Sequence, residues 1–531
     1  MTVAIGFLSL PAELICHILF LLAPRDLCRC AMTCKTVRNA AQDSIHVQYK
    51  LELYAQGFTE TRTLNSIGVD RRMSSLKKLV TLWRSVFHAS TVFEHAVSPV
   101  STYTAGIQYM KCGIWWMWDN GNLFIRDCNT NIKLSRSFPR YERLSQDRLP
   151  RSVRSVVFDP IQDLVVVVPL PAICIVTGAE QNRHIFSVEF RLASSLLPHP
   201  DSVDASLKCQ HSFEESGHYR VTFTQEPVIC GDRIVVLYCT SGILGSNEFI
   251  QVIDWRKGHA KSYPLREDVA GFHLVDEQKF VVIDTQGVIT LYTLQEHGSP
   301  QRRVMYRLQE SVRAPFYLFH ATPFQGATAC PDLEPGYVPS LESQIIVLET
   351  LTNACPVILV IDMVIFSGKV LHSETPVEVP WSEWGPQYTC CFRHHPSCQI
   401  SVFGSKIACA LPRYALLRPL PLSTPKGLCT DTCFYVHILD FNQRVIARAE
   451  NIYDPNLPTR FICKPSDHSH GPIISYRPYI STICRTQFSP HCFARLFLED
   501  DRLTLTWLRD DAVHIQVVSP VQMEVASNLV R

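Results

Sequence analysis

Two short stretches gather the side chains that most often hold a metal. Cys390, Cys391, His394, His395 and Cys398 fall within nine residues, and Cys463 precedes His468 and His470. Thiolate and imidazole suit Zn²⁺, but a structural site needs four such ligands in tetrahedral array, usually supplied as C-x₂₋₄-C pairs. Neither stretch has that spacing, so the expectation is cysteines at strand ends and histidines in a loop, with no metal and no cofactor. The sequence contains no G-x-S-x-G, H-E-x-x-H, G-x-x-x-x-G-K-[ST] or G-x-G-x-x-G. The common hydrolase, zinc-protease and phosphate-loop signatures are therefore missing, and no catalytic residue is nominated. An enzyme built on the β-rich part of this chain would need ionisable residues converging on a central channel, and no sequence constellation points to them.

Two further groups suggest binding rather than catalysis. The segment Lys133 to Arg154 carries seven basic residues against Glu142 and Asp147. Guanidinium forks recognise phosphate bidentately, which makes Arg136, Arg140, Arg143, Arg148 and Arg151 candidates for a phosphorylated partner, although a solvated inter-strand loop explains them more simply. Trp115, Trp116 and Trp118 offer an aromatic platform, but strand alternation puts Trp116 and Trp118 on one face, where core between sheets is the better reading.

Composition sets the frame for these residues. A chain of 531 residues with 46% apolar and 19% charged residues is expected to fold over most of its length, into several domain-sized units. Fifty Lys and Arg against 49 Asp and Glu leave a net charge of +1, which supplies no global field for nucleic acid or an anionic membrane. The 21 cysteines are odd in number and scattered among apolar segments, so they read as buried thiols rather than a disulfide framework. The apolar run LICHILFLLA is interrupted by His17 and stops at Pro24, short of the ~20 residues that span a bilayer. The N-terminus has no secretory pattern, and the expectation is an intracellular protein of the cytoplasm or nucleus.

The pattern is helical up to about residue 95 and strand-like beyond it. Leu14, Ile15, Ile18, Leu19 and Leu22 make one stripe after Pro11, and Pro24 ends that helix. A second helix starts near Arg25-Asp26 and carries Leu27, Cys30 and Ala31; after a bend come Val37, Ala40 and Ala41. Asp43 and Ser44 can cap a helix from Ile45 to about Gln56 that Gly57 closes, and Met73, Leu76, Val80 and Trp83 mark another. Beyond these, β-branched and aromatic runs of four to eight residues alternate with turn residues, as in Gly113–Cys128, Ser155–Val168 and Phe272–Leu294. Asp119-Asn120-Gly121, Gln286-Gly287 and Asp500-Asp501 predict tight hairpins, so sequential strands should pair antiparallel. A strand ending in Asp before a turn recurs at Asp254, Asp284, Asp362 and Asp440. This resembles the outer strand and turn of a β-propeller blade, and about seven units of roughly 60 residues would leave room for many insertions. The Pro-rich stretches Ala321–Ser340, Glu374–Gln387 and Leu411–Gly427 are expected as surface insertions.

Phe7 to Ser44, FLSLPAELICHILFLLAPRDLCRCAMTCKTVRNAAQDS, resembles the F-box. The motif elements occur in order as Leu10, Pro11, Glu13, Leu14, Ile18, Leu19, Asp26, Leu27, Cys34, Lys35 and Arg38. Gln48 to Val86 is similar to the helical region that follows the F-box in fungal proteins with a degenerate β-rich C-terminal half. The resemblance implies a multidomain α plus all-β chain: an F-box at 5–44, a helical linker at 45–95 and an irregular β-propeller-like domain at 96–531. It implies that the helices dock an adaptor subunit of an SCF-type (cullin-RING) ubiquitin ligase, and through it the cullin, while the β domain holds a target protein of unknown identity. Docking of this kind is helix-in-groove packing. Leu10, Pro11, Glu13, Leu14, Ile18, Leu22, Leu27 and Cys34 are the expected adaptor contacts, with Leu10→Ala or Leu27→Ala weakening capture. An F-box-like scaffold with no role in degradation is the alternative.

Overall fold

The computed structural model describes residues 7–60, 67–83, 87–97, 107–119, 122–128, 153–171, 173–242, 245–265, 268–294, 299–319, 337–352, 355–367, 376–394, 399–412, 434–451, 461–463, 477–488, 495–509 and 512–521. Helices α1 (Ala12–Leu21), α2 (Pro24–Ala31) and α3 (Lys35–Asp43) form the N-terminal bundle, and α4 (Ile45–Gln56) and α5 (Val69–Leu82) follow. Pro24 does not close the first helix but opens the second, at a position where its fixed φ suits the helix and its missing N–H has no intrahelical role. Ser44 Oγ accepts from Val47 N, and Gly57 closes α4 at φ 73°. That φ favours glycine, and a Cβ there would meet the Ser343 side chain at 2.5 Å.

The helices build two cores. Ile15, Leu19, Leu27, Val37, Ala40, Ala41 and Val47 make the first, with Leu10, Leu22 and Cys34 packed at its edge. Tyr49, Phe58, Met73, Leu76, Trp83 and Phe87 belong to a second core shared with β residues such as Val436, Ile438, Leu503 and Leu505. Helix α4 therefore bridges them, with Val47 in one and Tyr49 in the other. Leu27 is fully buried, which corrects its expected role as an adaptor contact: in a bundle this small, the residue nearest the centre of three helices is needed to hold them together. Leu27→Ala should cost about 2–5 kcal/mol of bundle stability, measured as accelerated amide exchange through α1–α3; unchanged protection would contradict the packing.

Seven sheets form a ring of seven blades. Their innermost strands are Ile107–Lys111, Val153–Asp159, Val228–Cys230, Val269–Leu274, Val312–Phe319, Gln399–Phe403 and Arg495–Leu498. Each blade meanders outward through antiparallel hairpins, as the turns predict. The ring closes by pairing His88–Val97 with Ala512–Val521, so the seventh blade joins the first and last strands of the β domain. The strand His88–Val97 runs through the expected boundary at 95/96. Most of its residues are exposed or half-buried, with only Val97 buried, which is why the change of pattern reads several residues late.

Two sequence expectations need correction. Asp254, Asp362 and Asp440 end the third strand of their blades, whereas Asp284 ends the second. In all four, the carboxylate accepts a backbone N–H two or three residues on. The recurrence thus marks a turn type that serves either end of a blade, not a blade register. The second Pro-rich stretch is structural rather than a surface insertion: Val377–Val379 adds a parallel edge strand to blade 4, and Trp381–Tyr388 is a helix that buries Trp384, whose Nε1 donates to Arg307 O. In the first such stretch, residues 337–340 likewise carry structure, and Leu411–Gly427 lies almost wholly outside the described residues.

Candidate functional site: an apolar helix face and the propeller axis

Packing divides the apolar positions of α1 between two faces. Ile15 and Leu19 point into the bundle, with Leu22 half-buried beside them. Leu14 (50% exposed), Ile18 (38%) and Leu21 (71%) lie at i, i+4 and i+7 on the opposite side, and Phe7, Leu8 and Met32 are also exposed. Of the expected contacts, Pro11, Glu13, Leu14 and Ile18 face solvent, Leu10, Leu22 and Cys34 are half-buried, and Leu27 is interior. Sequence reasoning passed over Leu21, Met32, Phe7 and Leu8. The signal for Leu21 was present, since it lies seven residues after Leu14 on the same helical face. Phe20, though exposed, is engaged within the bundle: Lys50 Nζ lies 5.1 Å from its ring centroid and donates to its carbonyl.

The helices beyond the bundle hold this face rigidly to the ring. Phe58–Glu60 pairs antiparallel with Tyr337–Pro339, in the connection after the innermost strand of blade 5. Asn442 Nδ2 donates to Ala55 O, Arg444 Nη1 to Tyr54 O, and Arg448 pairs with Glu52 at 2.9 Å. Trp83 Nε1 donates to Asp500 O, in the turn after the innermost strand of blade 7. All these contacts fall on blades 5 to 7 at the face where the innermost strands end. The opposite face of the ring, where those strands begin, is free of the described helices.

The ring axis is lined by all seven innermost strands or the residues flanking them and encloses a chamber of about 480 Å³. Polar and ionisable groups from four blades do converge there, which no spacing along the chain reveals: Gln108 and Lys111 from blade 1, Glu226 from blade 3, His273 from blade 4, and Arg495 and Glu499 from blade 7. Lys111 Nζ is 3.0 Å from Asp159 Oδ1 with both side chains buried, and both Glu499 carboxylate oxygens accept from Gly113 N, tying blade 7 to blade 1 beside the ring closure.

The turn Glu499–Arg502 gathers three carboxylates and one guanidinium beside this closure. Burial, then the carboxylates of Asp501 and Glu499, push Asp500 from 3.8 up to about 8. Because the folded value lies above the unfolded one, the folded state holds the proton. The associated stability is complete below about 4 and is lost as pH rises through about 8. Asp500→Asn should therefore flatten the decline in melting temperature between pH 6 and pH 9, a difference of a few degrees; an identical decline in the variant would remove Asp500 as its cause.

Among the described residues, the side chains of the first Cys/His stretch diverge. Cys390 packs into one inter-blade core and Cys391 against another, on opposite faces of their strand, and His394 Nε2 is 3.5 Å from Glu349. Trp116 and Trp118 face one core while Trp115 and Met117 face the next, as strand alternation predicts. Arg136, Arg140, Arg143, Arg148 and Arg151 lie outside the described residues, as do His395, Cys398, His468 and His470. No helix among the described residues is long and apolar enough to cross a membrane.

A closed seven-bladed ring carrying a helical bundle with an exposed apolar face defines a β-propeller protein with an N-terminal helical module. Residues 7–50 match the F-box-like family model, and the chain is an F-box domain-containing protein. F-box and β-propeller domains are typically non-catalytic interaction modules, and F-boxes in general bind the adaptor subunits of SCF-type complexes. No curated protein matches the chain. Among solved structures, Raptor from Chaetomium thermophilum is 11% identical with a TM-score of 0.36, over 96% of this chain and 38% of that one. The β-propeller domain of the Trilobed protease from Pyrococcus furiosus is 8% identical with a TM-score of 0.26, over 57% of this chain and 84% of that one. The seven sheets define the fold without either likeness.

Proposed function

We propose that this protein is the substrate-recognition subunit of an SCF-type, cullin-RING ubiquitin ligase. The exposed stripe Leu14, Ile18 and Leu21, on a helix whose other face is already buried, carries this reading. Such a stripe fits the adaptor groove by helix-in-groove packing, and the propeller presents the target. The chain itself catalyses nothing. It raises the local concentration of a target lysine beside the charged ubiquitin-conjugating subunit, and the rigid junction through Trp83, Asn442 and Arg444 keeps that distance constant. The reading places the protein in the cytoplasm or nucleus, with no nucleic-acid or membrane partner, in keeping with a net charge of +1.

The test is affinity capture of the full chain co-expressed with the adaptor and cullin, followed by comparison of protein half-lives with and without the chain. Recovery of both subunits, and a propeller-bound protein that turns over faster when the chain is present, is the expected result. Adaptor recovered without cullin, and no half-life changed, would favour the scaffold alternative; no adaptor at all would sink both.

A further inference from the structure

The axial chamber has the size and lining of a small-molecule site, independently of what the helical face binds. At about 480 Å³ it lies within the range of ligand pockets, about 300–1,000 Å³, whose walls are mostly apolar with a few fixed polar groups. One wall is aromatic: Tyr109 stacks on Trp116 with ring centroids 5.3 Å apart, and Trp116 meets Phe158 edge-on at 5.2 Å. The key polar group is Gln108, 5% exposed. Thr506 Oγ1 donates to its Oε1 at 2.7 Å and fixes the amide, while its Nε2 finds no acceptor among the described residues. A buried donor left open is costly, by about 1–3 kcal/mol, and an acceptor that arrives with a ligand would offset that cost. Lys111 and Arg495 are matched by Glu226 and Glu499 in the lining, so the chamber has no excess of either sign to draw in a phosphate or another polyanion.

We infer that the propeller axis binds an uncharged, largely apolar small molecule whose carbonyl or hydroxyl oxygen accepts from Gln108 Nε2 against the Tyr109–Trp116–Phe158 wall. A molecule seated there touches several blades at once and stabilises the closed ring by mass action.

The probe is prodan, a neutral naphthalene ketone whose emission shifts to the blue in apolar surroundings, titrated into the full chain. The expected result is a saturable one-to-one signal accompanied by a rise in melting temperature. Gln108→Met removes the donor at nearly constant length and should weaken binding by about tenfold. Leu318→Trp, which fills the chamber from blade 5, should abolish the signal, and Leu14→Asp on the distant helical face should leave it unchanged. If Leu318→Trp fails to fold, the Gln108→Met titration decides alone. No saturable signal in the wild-type chain would mean that the chamber holds water only and would overturn the inference. So would an affinity unchanged by Gln108→Met, or a signal lost in Leu14→Asp.

Discussion

Exchanging Leu14 for aspartate should lower adaptor capture at least thirtyfold while leaving the melting temperature of the chain unchanged. Leu14 is half-exposed on α1 and contributes to neither core, so the folded chain loses nothing by its removal. In a filled groove the same position becomes desolvated, where truncating a central apolar anchor costs about 2 kcal/mol or more and a carboxylate adds its own desolvation. Ile18→Asp should behave alike, and the double variant should fall below detection by surface plasmon resonance. Equal affinity for wild type and Leu14→Asp would move the docking surface elsewhere; a drop in melting temperature would instead mean that α1 packs on this face within the chain. Leu27→Ala gives the contrast, because it should destabilise the bundle and lose capture only through unfolding.

The second large effect concerns the junction between helices and ring. Trp83 is 6% exposed, donates through Nε1 to Asp500 O, edges onto Phe87 with centroids 5.3 Å apart, and through its carbonyl accepts from Thr482 Oγ1. It therefore fastens α5 to blades 6 and 7 at once. Trp83→Ala should lower unfolding stability by about 3–5 kcal/mol and speed amide exchange in α5 and the strand His88–Val97. The bundle core around Leu27 contains no part of this junction, so adaptor affinity should survive. What should fall is ubiquitin transfer to a propeller-bound target, since a loosened tether no longer fixes the distance. An unaltered unfolding midpoint would show that the other linker contacts suffice.

The local elements were legible because they depend on neighbours in sequence. Ser44 and Gly57 bracket α4 through capping and a left-handed φ, effects complete within a few residues. The turns around Asp254, Asp284, Asp362 and Asp440 were visible for the same reason, since each carboxylate reaches only two or three residues ahead. Their assignment to one blade register failed because that short reach is indifferent to which strand of a blade precedes it.

By itself the sequence determined a helical N-terminus resembling an F-box, an all-β remainder of about seven hairpin units, the buried character of the tryptophan run and the near-zero net charge. Tertiary structure decided which half of the apolar stripe on α1 is spent inside: periodicity marks the helix as apolar on a broad arc, and only packing against α2, α3 and α4 separates Ile15 and Leu19 from Leu14, Ile18 and Leu21. It also decided that His88–Val97 closes the ring by pairing with a strand more than 400 residues away. Most of all, it decided the axial chamber, where Gln108, His273 and Arg495 meet although no two of them share a blade. Each comes from a different innermost strand, and ring closure alone places them around one chamber, so no spacing along the chain could carry that information.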